Sequence, residues 1–228
     1  MSTIAERTLA LLEEIARLEA RHGRAPGSVT LLGISKTHAA ARVREAHAAG
    51  LSQFGESYVQ EALPKIEALA DLPLTWHFVG RIQGNKTADI AAGFAWVHGI
   101  DRLRIARRLN EQRPAGLPPL DCCIEVNLCG EASKGGAAPE ELPALAAAIA
   151  ALPRLRLRGL MTLPAPSSGL EQQRQPFARL ARCLAGLQRD IAGLDTLSMG
   201  MSDDMEAAIA EGATLVRIGT ALFGPRGT

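Results

Sequence analysis

The chain is poor in lysine: its 228 residues hold four, against 21 arginines, and only one tyrosine, two tryptophans and four cysteines. No apolar run reaches the roughly 20 residues that a membrane-crossing helix needs. Cys122, Cys123, Cys129 and Cys183 show no C-x-x-C spacing, and adjacent Cys122 and Cys123 point to opposite faces if they lie on a strand, so buried free thiols and no metal site are expected. An excess of charge of either sign is also lacking, with 25 basic residues against 24 acidic ones. The net charge of +1 argues against an electrostatic nucleic-acid binder, which needs a concentrated basic face. Arg102, Arg104, Arg107 and Arg108 recur at helical spacing and read as a solvated helix face. The N-terminus lacks the basic segment and apolar core of a secretory leader. Instead Thr3 and Glu6 form a capping box that starts a helix. A cytoplasmic protein with no membrane association is expected, and the sequon at Asn85-Lys86-Thr87 carries no weight without secretion.

What the chain has is a regular alternation. Hydrophobic residues make up 47%, and short β-rich runs alternate with longer helical patterns, the signature of βα units and a parallel sheet. Eight strands are expected at residues 30–35, 52–55, 75–79, 95–99, 121–127, 157–161, 196–199 and 214–218. Helices fill the gaps, among them 39–49, 58–69, 139–151, 171–187 and 203–210. Eight units predict one α/β domain over residues 1–228, a closed (β/α)8 TIM-type barrel. An open doubly wound sheet has fewer strands and a Gly-rich turn after the first one, whereas here the first strand runs into Ser35-Lys36-Thr37. An extra N-terminal helix, residues 3–21, is expected to cover the side that a final helix would otherwise close. The proline-rich stretches 113–119 and 164–168 read as barrel loops, since the alternation continues across both.

The scarcity of lysine makes its positions informative. Lys36 ends the first apolar strand, where a partly desolvated amine can lose its proton and condense with an aldehyde; an arginine there could only hold an anion. Lys86 and Lys134 lie in Gly/Ser/Asn-rich turns, and Lys65 reads as an ordinary helix residue. In a barrel the loops after the strands share one face. With Lys36 that face gathers Glu56, Ser57, His77, Arg81, Asn127, Met161, residues 198–202 and residues 217–220. Two of these segments suit a phosphate. One is Ser198-Met199-Gly200-Met201-Ser202, with hydroxyls, a glycine turn and Ser202 as N-cap of the next helix. The other is Gly219-Thr220, after the last strand. Asp203 and Asp204 count against an anion unless they point outward. A lysine facing a phosphate site fits pyridoxal 5′-phosphate. Arg217 would then meet the ring nitrogen and, being unable to accept a proton, keep the cofactor a weak electron sink.

The chain resembles the pyridoxal phosphate homeostasis protein family, which shares the alanine racemase barrel. The marks are Ser35-Lys36-Thr37, Phe54-Gly55-Glu56-Ser57-Tyr58-Val59-Gln60-Glu61, His77-Phe78-Val79-Gly80 with Gln83-Gly84-Asn85-Lys86, Arg158-Gly159-Leu160-Met161, residues 198–206 and Val216-Arg217-Ile218-Gly219-Thr220. The resemblance implies a Schiff base on Lys36, a phosphate surrounded by Ser198, Gly200, Ser202, Gly219 and Thr220, and Arg217 at the ring nitrogen. Ser57, Met161 and Met199 complete the expected cofactor-binding set. Two departures stand out: Ser57 replaces a usual Asn, and Arg81-Ile82-Gln83-Gly84 a usual Pro-Leu-Gln-Ser. The implied role is a non-catalytic, monomeric carrier that buffers the cofactor and delivers it to apo-enzymes. A pyridoxal-dependent racemase or decarboxylase is the alternative and would need a second base near Lys36, for which His77 is the candidate. A cofactor-free Schiff-base aldolase is the third reading.

Overall fold

The computed structural model describes residues 2–128 and 135–225; Cys129 and Lys134 lie outside them. Eight parallel strands close on themselves in sequence order: β1 (Thr30–Ile34), β2 (Gln53–Glu56), β3 (Thr75–Phe78), β4 (Trp96–Ile100), β5 (Leu120–Glu125), β6 (Leu155–Met161), β7 (Thr196–Ser198) and β8 (Leu215–Ile218). Closure runs through the β1–β8 pairing, which sets Leu32 against Arg217 and Gly33 against Ile218. The eight-stranded barrel expected from the alternation is therefore present. Strand ends move by at most two residues, as at β2, which includes Glu56.

The helices wrap the barrel because each carries a one-sided apolar stripe. In α5 (Leu103–Gln112) Ile105, Ala106 and Leu109 are buried, while Arg104 and Arg107 are exposed; Arg108, expected on the same solvated face, is half-buried and donates to the Thr87 hydroxyl at 3.1 Å. Outside β1 and β2 lie α2 (Ala40–Ala48) and α3 (Val59–Ala68), followed by α4 (Thr87–Gly93) beside α5. The second half carries α6 (Leu142–Ala150), α7 (Leu170–Leu187) and α8 (Met205–Ala210), and after β8 the described residues hold a single turn, α9 (Thr220–Phe223).

The N-terminal helix α1 (Ile4–Arg21) starts at the expected capping box, with Thr3 and Glu6 bonded to each other's backbone N–H. It packs on α2, α8 and α9. There Arg7 donates to the Leu222 carbonyl at 2.7 Å and Arg24 to the Ile209 carbonyl at 3.0 Å. That packing fills the gap left by so short a last helix. The proline-rich stretch after α5 is anchored as a loop by buried Arg113, which donates to the carbonyls of Ala91, Phe94 and Pro118.

Close approach of strands decides one glycine. A Cβ at Gly159 on β6 would stand 1.8 Å from the Thr196 carbonyl oxygen of β7, so only glycine lets these strands meet. Cys122 and Cys123 are both buried free thiols, and burial pushes both upward in pKa.

Candidate functional site

The strand ends converge as expected, and the turn after β1 is built more elaborately than its sequence suggests. Ser35 is buried and Lys36 is half-buried in a turn at the C-terminal mouth of the barrel. Thr37, immediately after it, has φ +67°. Beneath this turn stands Lys65 of α3, which is no ordinary helix residue: its side chain is 5% exposed and forms an ion pair with a fully buried Glu56. The Lys65 ammonium donates to Glu56 Oε1 at 2.6 Å, to the Ser35 carbonyl at 2.8 Å and to Glu61 Oε1 at 3.2 Å. The Ser35 hydroxyl donates to Glu56 Oε1 at 2.6 Å, and the Thr37 N–H donates to Glu61. Burial raises the Glu56 pKa, against the lowering effect of its bonds from Lys65 and Ser35. Glu56 thus serves the turn from the outer layer and does not line the mouth.

Inside the barrel a second polar chain ends at Arg217. This residue is 5% exposed. Nη1 donates to the Ser198 carbonyl at 2.5 Å and the Ser198 hydroxyl at 2.8 Å, while Nη2 donates to the Thr162 carbonyl at 2.8 Å. Ser198 Oγ lies 2.8 Å from His98 Nδ1, His98 Nε2 lies 2.9 Å from His77 Nδ1, and His77 Nε2 lies 2.6 Å from Gln53 Oε1.

Gln53 Oε1 only accepts and arginine only donates, so with both imidazoles neutral the two ends fix the direction of the whole chain. Ser198 accepts from Arg217 and gives its proton to His98, His98 donates from Nε2 to His77, and His77 donates from Nε2 to Gln53. Both imidazoles are neutral in this arrangement. Burial agrees, lowering His77 to about 3 and His98 well below its ordinary range. Burial also brings Arg217 down to about 10, which leaves it charged at neutral pH.

The chain corrects two expectations. His77 is 1% exposed and stacks on Trp96 with ring centroids 5.4 Å apart. It edges a recess of about 290 Å³ at the opposite mouth, with Thr30, Gln53 and Trp96, so it is a packed residue and no base beside Lys36. Ser198 is likewise fully buried, and its proton goes to His98, so its hydroxyl has none to give to a phosphate.

The two turns assigned to an anion differ from each other. After β7, Met199 and Gly200 are buried while Met201, Ser202 and Asp203 are exposed. Gly200 has φ +97°, and a Cβ there would come within 2.6 Å of the Ala208 Cβ. That backbone lets the Gly200 carbonyl accept from the Arg217 N–H at 2.9 Å. Ser202 is not the N-cap of α8. Asp204 occupies that position, and its Oδ1 accepts the Met201 N–H at 2.6 Å. Asp203 points outward, but Asp204 is half-buried, with burial raising its pKa. After β8, Gly219 is half-buried and Thr220 exposed. Met161 is buried at the end of β6. Ser57 and Arg81, the two departures, line one recess of about 310 Å³ with Tyr58, Gln83 and Lys86. Glu125, at the end of β5, adds a half-buried carboxyl whose pKa burial raises, with Asp101 acting in the same direction. No cluster of metal-binding side chains occurs among the described residues.

The site therefore joins a lysine turn and a buried cation at one mouth of an alanine-racemase-like barrel. The alanine racemase N-terminal domain family matches residues 9–227. A pyridoxal phosphate homeostasis protein of Pseudomonas aeruginosa is 62% identical over 226 residues, covering 99% of this chain and 97% of that one, and one from Escherichia coli K12 is 52% identical over 229 residues, covering 99% and 98%. The chain belongs to the pyridoxal phosphate homeostasis protein family. Among solved structures, PipY of Synechococcus elongatus PCC7942 with pyridoxal phosphate bound superposes with a TM-score of 0.81 at 38% identity, over 92% of this chain and 100% of that one. Alanine racemase from Corynebacterium glutamicum shares the fold, with a TM-score of 0.72 at 18% identity, and this chain spans 61% of its length.

Proposed function

We propose that this protein binds pyridoxal 5′-phosphate at the C-terminal mouth, holds it through Lys36, and acts without catalysis as a buffer that delivers the cofactor to apo-enzymes. The observation that carries the reading is Arg217: a buried, charged guanidinium fixed at the end of β8 by Nη1 to Ser198 and by Nη2 to the Thr162 carbonyl. That donor set fits a ring nitrogen that keeps its lone pair, and the Lys36 amine shares the same mouth.

When bound, the cofactor supplies an aldehyde that condenses with an amine and a ring that accepts electrons. The protein's residues divide the remaining work. Arg217 has no lone pair and cannot protonate a ring nitrogen, so it keeps that ring a weak sink, which suits storage better than carbanion chemistry. Backbone N–H groups of Gly200, Ser202, Gly219 and Thr220, with the hydroxyls of Ser202 and Thr220, are the donors assigned to the phosphate, since the Met199 and Met201 N–H groups are already given to the Leu215 carbonyl and to Asp204. The Ser198 hydroxyl is left to the interior chain. Met161 and Met199 shape the apolar floor, and Ser57 lies at the rim. The proposal sets the protein in the cytoplasm as a monomer.

The test is the absorption spectrum of the purified protein before and after borohydride reduction, with the modified lysine mapped. An adduct on Lys36 is expected. An adduct on Lys86 or Lys134 with Lys36 unmodified refutes the assignment. Alanine racemisation on the order of 1 per second or faster would favour the racemase reading instead.

A further inference from the structure

Thr37 is the only residue other than glycine with a positive φ among the described residues, and it is β-branched, the kind of side chain least tolerant of that region. It directly follows Lys36. Something must hold it there, and the contacts on either side of Lys36 show what does. The Ser35 carbonyl accepts from Lys65 at 2.8 Å, the Ser35 hydroxyl is held by Glu56 at 2.6 Å, and the Thr37 N–H is held by Glu61. All three hydrogens of the Lys65 ammonium are engaged, two of them by the carboxylates of Glu56 and Glu61. The backbone carrying Lys36 is thus gripped from behind, from β2 and α3, by groups that need not touch a ligand at the mouth. Glu56 and Lys65 are sealed, whereas the Glu61 side chain is 32% exposed. Glu61 is therefore the member that can let go.

We propose that Glu61 and Lys65 are positioning residues that clamp the Lys36 turn in a strained state, and that opening of the clamp at Glu61 sets how fast the site releases its ligand. With Glu61 withdrawn, Thr37 relaxes toward negative φ and carries the adjoining Lys36 peptide with it. The proposal rests on Lys36 being the lysine that holds pyridoxal phosphate. A glycine at position 37 adopts φ +67° without strain, so it should make the clamp dispensable.

The experiment compares the full chain with Glu61→Ala, Thr37→Gly and the double variant. In cofactor-free protein, hydrogen exchange at the residue-37 amide should quicken at least about tenfold in Glu61→Ala, which removes its acceptor. In protein loaded with pyridoxal phosphate, transfer of the cofactor to an excess amine scavenger should quicken by a similar factor in Glu61→Ala and return to within about threefold of the unmodified rate in the double variant. Unchanged exchange in a folded Glu61→Ala protein overturns the clamp, whatever the ligand. Faster exchange with unchanged release, or a double variant as fast as Glu61→Ala, overturns the link between clamp and release. Borohydride label on another lysine would refute the Lys36 assignment separately, and the exchange measurement would still decide on the clamp.

Discussion

The interior histidines make the barrel acid-sensitive by an amount that can be worked out for one of them. His77 is neutral in the fold, where burial lowers its pKa to about 3, and it titrates near 6.5 once unfolded. A base with a depressed folded pKa contributes stability above its unfolded pKa, and that contribution is lost as pH falls toward the folded one. At pH 5 the unfolded chain has gained its proton and the folded chain has not. The gap of about one and a half pH units is worth about 2 kcal/mol. His98 is lowered as well and adds in the same direction. The two cannot charge independently, since protonating either ring turns an acceptor nitrogen toward a donor, at the His98–His77 contact of 2.9 Å or at Ser198.

The assay is denaturant unfolding at pH 8, 7, 6 and 5, for the unmodified protein and for His77→Asn. The asparagine variant is less stable throughout because it loses the stack on Trp96. Comparing slopes against pH removes that offset, along with the contributions of Glu56, Glu125 and Asp204, whose raised pKa values act in the opposite sense. The unmodified protein should lose at least about 2 kcal/mol more than His77→Asn between pH 8 and 5. Parallel slopes would refute the neutral, buried assignment and with it the direction of the chain that ends at Arg217.

Three further outcomes are expected. Ser198→Ala removes the link between Arg217 and His98 and leaves a buried donor and a buried acceptor unmatched; at about 1–3 kcal/mol for each such group, thermal unfolding should drop by at least about 4 °C, with weaker retention of pyridoxal phosphate by equilibrium dialysis. Arg217→Glu would set a carboxylate against the Ser198 and Thr162 carbonyls, which accept from Arg217 in the native site, so a loss of about 3–5 kcal/mol and poor soluble yield should precede any spectral change in bound cofactor. Pyridoxal without its phosphate should bind at least about tenfold more weakly in fluorescence titration, the equivalent of about 1.4 kcal/mol, and equal affinity would show that the turns after β7 and β8 hold no anion.

Much was legible from the chain alone, wherever the signal was local and periodic. Alternating apolar runs and helical stripes depend on near neighbours in sequence, and eight of them suffice to predict a closed parallel barrel whose strand ends share a face. The capping box at Thr3 and Glu6 and the placement of Lys36 at the end of the first strand follow from the same local rules. Only the tertiary structure decided which polar residues meet. His98 and Ser198 are 100 positions apart, and nothing in Trp96-Val97-His98 points to a serine on the strand before last. Lys65 looks like any exposed helix lysine until α3 is laid against β2, where Glu56 and the Ser35 carbonyl take up its hydrogens. Ser202 reads as a helix cap, yet the turn after β7 runs two residues longer and gives that position to Asp204. The cost of burying a polar group depends on partners that folding brings from elsewhere in the chain, so burial and pairing of Lys65, His77, His98 and Ser198 could be settled only in three dimensions.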